Sequence, residues 1–108
     1  MSSTPFRTVA GHDVPVAVGF RARLFGLALL DLEAAGPGLL IPRCAAVHTF
    51  GMRFALDVYF LGSGDEVLAI RRAVPPRRFV SHRGAASVLE IPAFPAQKRG
   101  EKRTGPTP

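Results

Sequence analysis

Short apolar runs, interrupted by glycine, proline and polar residues, dominate the hydropathy pattern of this chain. Residues 8–18 carry valines on either side of Gly11, which predicts two short strands joined by a turn. Five further runs have the length and apolar character of strands, at residues 39–41, 47–50, 56–61, 67–72 and 87–91. The sequence Gly-Ser-Gly-Asp at 62–65 joins two of these runs and predicts a hairpin turn.

Residues 20–32 follow a different period from the rest of the chain. Leucines at 24, 27, 30 and 32 recur near helical spacing, and the Gly-Pro-Gly sequence at 36–38 ends the pattern. We therefore expect one short helix in an otherwise strand-rich chain. The predicted fold is mainly β, a compact antiparallel sandwich or barrel with one short helix near residues 20–32.

Composition and charge divide the chain into a core-forming part and a basic end. The 108 residues suffice for one domain, and 47% of them are hydrophobic. Residues 1–93 hold ten Arg and seven acidic residues, whereas residues 94–108 hold four basic residues and one acid. We predict a single β-rich domain over 1–93 and a disordered basic tail over 94–108. The single cysteine excludes an internal disulfide, and no leader or membrane span is visible, which favours a cytoplasmic protein.

Asp57 is the main candidate for a functional carboxylate, because it interrupts the apolar run at 56–61. Strand alternation places Asp57 with Tyr59 and Leu61 on one face, and the other face is purely apolar. A charge in such a setting needs a donor. If Gly62 pairs with Glu66, Asp57 lies opposite Arg71, so we predict an ion pair of Asp57 with Arg71 or with Arg53. The pair would be a structural salt bridge or part of a binding site.

Four other residues are weaker candidates. Glu90 is a second acid in an apolar strand, where it would pair with an arginine, face outward or take part in acid/base chemistry. Cys44 and His48 have a Cys-x3-His spacing, but no second pair of ligands accompanies them, so we expect neither a metal nor another cofactor. We expect Cys44 to be a small buried hydrophobe and His48 to bond to backbone or to Asp57. Met52 would fill the core or line a pocket.

Arginines cluster between residues 71 and 83, on both sides of Pro75-Pro76. Their guanidinium groups suit a phosphate or a carboxylate, although a solvated basic surface is the simpler interpretation. Surfaces that bind nucleic acid usually interleave aromatic residues for stacking, and near this cluster the sequence shows only Phe79. The pattern therefore argues against a nucleic-acid partner.

The order and spacing of these segments resemble one family, the domain of unknown function 192. The resemblance covers residues 14–93, and its most specific part is His48-Thr-Phe-Gly-Met52 followed by Leu56-Asp57 and Phe60. Weaker matches are Arg23 with Gly26-Leu27, Gly38-Leu39-Leu40, Cys44, Phe54, Val67, Pro75-Pro76 and Val88-Leu-Glu-Ile91. The resemblance implies a compact β-rich domain of jelly-roll-like or barrel-like shape and nominates His48, Met52, Asp57 and Glu90, but it implies no established activity. The family's closing strand is replaced here by the basic tail, which predicts an open sheet edge.

We interpret the chain as a small binding or interaction module rather than an enzyme. The leading hypothesis is recognition of a polar or saccharide-like ligand by Asp57, Tyr59, His48 and Arg53 on one concave face. The first alternative is an acid/base enzyme that uses Asp57 or Glu90 with His48. The second is a protein-interaction module that uses the open edge strand or the arginine cluster at 71–83. The sequence does not determine an oligomeric state.

Overall fold

The computed structural model describes residues 5–17 and 36–93, in which eight strands pair antiparallel. The strands are β1 (Phe6–Val9), β2 (His12–Pro15), β3 (Leu39–Pro42), β4 (Ala46–His48), β5 (Leu56–Leu61), β6 (Val67–Val74), β7 (Phe79–Ser81) and β8 (Ser87–Pro92). All seven predicted strands are present, and among the strands of the described residues β7 alone was missed, because three residues are too few for a clear alternation. The predicted helix over 20–32 and the tail from residue 94 lie outside the described residues.

The described strands form a layered sandwich around one central sheet. That sheet has four strands in the order β3-β8-β5-β6, and the ribbons β1-β2 and β4-β7 pair separately. The sandwich architecture confirms the predicted fold class, and within the described residues the central sheet is open rather than closed into a barrel. No helix in this part of the chain has the length and apolar character needed to cross a membrane.

The two faces of the central sheet bury separate apolar clusters. Leu56, Val58 and Phe60 of β5 pack on one side with Val47 of β4 and Val88 of β8. On the other side, Tyr59 and Leu61 pack with Leu89 of β8 and with Val9 and Val14 of the β1-β2 hairpin. The predicted alternation of β5 is therefore correct. Because both faces of the central sheet are covered, the side chains on both faces of β5 and β8 are mostly apolar.

Strand β6 is one of the two edge strands of the central sheet in the described part of the chain, and β3 is the other. Three apolar side chains of β6 are exposed, those of Val67, Leu68 and Ile70. Two register shifts interrupt its pairing with β5, near Phe60/Leu61 and between Leu56 and Val58. Bulges of this kind bend an edge strand and hinder its pairing with another chain. The use of this edge by a protein partner therefore stays a prediction.

An ion pair joins the β1-β2 hairpin to the turn between β5 and β6. Nη2 of Arg7 donates to both carboxylate oxygens of Asp65, at 2.7 and 2.8 Å. The two residues are 58 positions apart in the chain, so the contact fixes the hairpin on the face that holds Tyr59. Both side chains are partly exposed, and such a pair contributes at most about 1 kcal/mol.

Candidate functional site

The carboxylate of Asp57 holds a β-bulge in strand β6. Val58 pairs with Arg71 and Leu56 pairs with Val74, so Asp57 alone lies opposite two residues, Arg72 and Ala73. Asp57 Oδ1 accepts a hydrogen bond from the Ala73 amide at 2.8 Å, and Oδ2 accepts one from Nη1 of Arg72 at 3.1 Å. Ala73 has a positive φ of 52°, which is uncommon for a residue with a Cβ. The carboxylate therefore stabilises an unusual backbone geometry and also pairs a cation.

The predicted partners of Asp57 were wrong, although an arginine does bind it. The turn has the expected register, since the Gly62 amide donates to the Glu66 carbonyl. The first register shift then moves Arg71 from Asp57 to Val58, and the bulge brings Arg72 to the carboxylate. Arg53 is exposed and forms no salt bridge with a described carboxylate. The prediction assumed a regular ladder in which each residue of β5 has one partner in β6. Each bulge adds one residue to β6 and so shifts the partner of every residue beyond it.

Arg72 lies at the centre of a polar group that the sequence did not reveal. Its Nη1 also donates to the Tyr59 hydroxyl at 3.2 Å, and its guanidinium carbon lies 5.5 Å from the centre of the Tyr59 ring. The hydrogen bond to Tyr59, followed by the interaction with Asp57, raises the pKa of Arg72 above its usual value. The His12 ring also meets the Tyr59 ring edge-on, with 5.7 Å between the ring centres. We call His12, Asp57, Tyr59 and Arg72 the Arg72 cluster.

The other nominated acid, Glu90, lies on the opposite face of the central sheet. Glu90 pairs with Val58 in β5, whereas Asp57 pairs with Ile91. Directly paired residues share a face, so Glu90 belongs to the side of Val58 and Phe60. The Glu90 side chain is buried. The two carboxylates therefore do not face a common substrate position, which the acid/base hypothesis requires.

His48 belongs to neither carboxylate's surroundings. It pairs with Phe79 in the β4-β7 ribbon, and its neighbour Val47 points into the core, so His48 points outward. Its Nδ1 accepts a hydrogen bond from the Phe50 amide at 3.2 Å, which confirms the predicted bond to backbone and not to Asp57. The residues that the leading hypothesis assigned to one ligand site are therefore separated. Asp57 and Tyr59 lie together, whereas His48 lies in the β4-β7 ribbon.

Met52 and Cys44, the remaining nominated residues of this region, pack against the apolar core. Met52 is buried in the cluster with Leu56 and Val58, as the core interpretation predicted. Cys44 is partly buried against the same cluster, and its Sγ lies 3.1 Å from the Ala46 carbonyl oxygen. No group of three or more potential metal ligands occurs within residues 5–17 and 36–93.

Thr49 is a structural residue that the sequence analysis missed. It is fully buried, and its hydroxyl donates to the Pro75 carbonyl at 2.8 Å while it accepts from the Arg78 amide at 2.7 Å. Its amide donates to the Arg78 carbonyl, and its carbonyl accepts from the amides of Met52 and Arg77. The residue joins the His-Thr-Phe-Gly-Met segment to the loop after Pro75-Pro76. Its position inside the most specific sequence block was the available signal.

Comparisons with known proteins agree with this architecture. A crystal structure from Novosphingobium aromaticivorans, of a protein of unknown function, matches with a TM-score of 0.65 and 18% identity over 92% of this chain and 87% of that chain. A second, from Sinorhizobium meliloti and described as a "putative transcription regulator", matches with a TM-score of 0.68 and 22% identity over 93% and 90% of the two chains. At these identities the two structures show a shared fold and nothing further.

Sequence comparison is more specific. A UPF0127 protein from Thermococcus sibiricus is 42% identical over 48 residues, which are 44% of this chain and 31% of that protein. The matched segment thus spans about a third of its relative's length. The family model described as Uncharacterized ACR, DUF192, matches residues 4–103. That match covers nearly the whole chain and confirms the resemblance seen in the sequence, so this protein belongs to the DUF192 family, whose function is not known.

Proposed function

We propose that the protein is a binding module for a small acidic polar ligand, such as a carboxylate-bearing saccharide, at the Arg72 cluster. The observation that carries this proposal is the state of the Arg72 guanidinium. One nitrogen, Nη1, is fixed by Asp57 and Tyr59, whereas Nη2 and Nε have no acceptor among the described residues. The Arg72 side chain is 63% exposed, so these donors are accessible to a ligand.

The geometry of the cluster favours an anion with several oxygen atoms. Arginine presents its N–H groups in a planar fork that matches the two oxygens of a carboxylate. Because Asp57 and Tyr59 already hold one side of the guanidinium, binding costs less side-chain entropy than it would for a mobile arginine. The guanidinium of Arg72 is permanently charged, as in any arginine.

Tyr59 and His12 add further polar groups to the Arg72 cluster. The Tyr59 hydroxyl accepts from Arg72, which leaves its own proton available for donation to a ligand. The imidazole of His12 can donate or accept, and it lies against the edge of the Tyr59 ring. This set of donors suits a ligand that carries hydroxyl groups as well as a carboxylate.

The test is a titration of the isotopically labelled protein with glucuronate, followed by amide chemical shifts. We expect shifts at His12, Tyr59, Arg72 and Ala73, and much weaker ones with glucose, which lacks the carboxylate. The variant Arg72→Gln should lose the response. Arg71→Gln is the matched control, because Arg71 is the neighbouring exposed arginine but pairs with Val58 on the other face.

Three results would contradict the proposal. They are an absence of shifts with glucuronate, shifts confined to residues remote from the Arg72 cluster, and an equal loss of response in Arg71→Gln and Arg72→Gln. Dispersed spectra for both variants would show that each remains folded, so a lost response in Arg72→Gln alone would report the binding site.

A further inference from the structure

The β4-β7 ribbon and its flanking loops carry positive charge without any acidic residue. Residues 43–56 and 75–86 contain five Arg and no Asp or Glu. Four of these, Arg53, Arg77, Arg78 and Arg83, are exposed and form no salt bridge with a described carboxylate. Exposed arginines that have no acidic partner attract a polyanion, and this attraction weakens as the salt concentration rises.

The β4-β7 ribbon and its flanking loops also expose aromatic rings. Phe79 is 68% exposed and Phe50 is 55% exposed. Phe79 is the cross-strand partner of His48, and the His48 ring centre lies 5.9 Å from that of Phe50. Isolated exposed apolar residues are common, but here His48 and Phe79 are cross-strand partners in the ribbon, and Phe50 contacts His48 from the turn that follows β4. We call His48, Phe50 and Phe79 the aromatic surface.

Hydrogen bonds hold the aromatic surface in place. Thr49, between His48 and Phe50, is bonded through its amide and its hydroxyl to Arg78, which precedes Phe79. His48 Nδ1 accepts from the Phe50 amide. The rings therefore project from backbone that is fixed before any partner binds, which reduces the entropic cost of binding.

We propose that the aromatic surface, with Arg77 and Arg78 beside it, binds single-stranded nucleic acid. Unpaired bases stack on exposed rings while arginines contact phosphates, and such binding needs little sequence specificity. An acidic peptide would use the arginines but not the ring faces, and a duplex keeps its bases stacked inside. The sequence argued against nucleic acid because only Phe79 adjoined the arginine cluster. The fold places Phe50 and His48 beside it.

The experiment measures binding of the full chain to a fluorescent 20-nucleotide oligothymidylate at two salt concentrations. The wild-type affinity should fall roughly 10- to 50-fold between about 50 and about 200 mM salt, as expected for three or four phosphate contacts. Phe79→Leu should weaken binding roughly five- to a hundredfold, because it removes a stacking ring but keeps apolar area. Phe79→Tyr should bind like the wild type.

Charge variants separate this surface from the rest of the basic chain. The double variant Arg77→Gln/Arg78→Gln should reduce the slope of log affinity against log salt by roughly 1 to 1.5. A control chain with Gln at Lys98, Arg99, Lys102 and Arg103 should keep its sensitivity to Phe79→Leu. Arg71→Gln, a single charge change in β6 outside the β4-β7 ribbon, should leave the affinity within about twofold.

Several outcomes would overturn the proposal. They are no binding at low salt, equal binding of a duplex or of polyglutamate, wild-type affinity in Phe79→Leu, and complete loss of binding in the tail control. None of the variants of the aromatic surface touches the Arg72 cluster, so the failure of either proposal leaves the other standing.

Discussion

Thr49 and Arg78 are joined by hydrogen bonds that connect distant parts of the chain. The Thr49 amide donates to the Arg78 carbonyl at 2.8 Å, and the Arg78 amide donates to the Thr49 hydroxyl at 2.7 Å. The hydroxyl in turn donates to the Pro75 carbonyl. One threonine thereby fixes the loop that leads into β7, and with it the position of Phe79.

Replacement of Thr49 by valine should measure this connection. Thr49→Val keeps the shape of the side chain but leaves the Arg78 amide and the Pro75 carbonyl without their partner, so the free energy of unfolding should fall by about 1–3 kcal/mol. Thr49→Ser retains the hydroxyl and should lose clearly less. Urea denaturation followed by circular dichroism provides both values. Equal losses in the two variants would show that the methyl group matters more than the hydrogen bonds.

The role of Asp57 in the β6 bulge can be separated from its ion pair. Asp57→Asn keeps an oxygen for the Ala73 amide and loses only the charge that pairs with exposed Arg72, so we expect little loss of stability. Asp57→Ala also removes the acceptor for Ala73 and should cost about 1–3 kcal/mol. Equilibrium unfolding in urea compares the two. A cost for Asn as large as that for Ala would assign the effect to the charge.

Gly38 should tolerate no side chain. Its φ is +121°, and a Cβ at this position would fall against the backbone carbonyl oxygen of Glu90 in β8. Gly38→Ala should therefore reduce the free energy of unfolding by roughly 2–4 kcal/mol, the sum of backbone strain and a steric shift in a buried strand. Gly36→Ala is the matched control, because its added Cβ meets no described atom within 4 Å. Similar melting temperatures for the two variants would contradict this prediction.

Met52 should behave as a core residue and not as part of a ligand site. It is 7% exposed and packs with Leu56 and Val58. Met52→Ala should cost about 2–5 kcal/mol because it leaves a cavity, whereas Met52→Leu should cost less than about 1.5 kcal/mol. Thermal and urea denaturation give the values. If Met52→Leu stayed fully stable but abolished the glucuronate response, the methionine would have to be counted among the ligand contacts.

The local sequence pattern determined the positions of most strands, the faces of β5 and the family. The alternation in residues 56–61 placed Tyr59 and Leu61 on one face and Val58 and Phe60 on the other, and seven strands followed from short apolar runs. The family also followed from the sequence, through the His48–Met52 block and its spacing to Asp57. These features depend on a two-residue period and on nearest neighbours, which the chain itself displays.

Tertiary structure alone decided which residues meet. A bulge exchanged Arg71 for Arg72 as the partner of Asp57, because one inserted residue shifts the register of everything beyond it. Layer packing separated His48 from the carboxylates, and strand pairing brought Phe79 beside it. Thr49 acquired its role only when the fold brought Arg78 to it from 29 residues away. Such contacts arise from strand pairing between distant segments, and no local pattern of residues encodes their register.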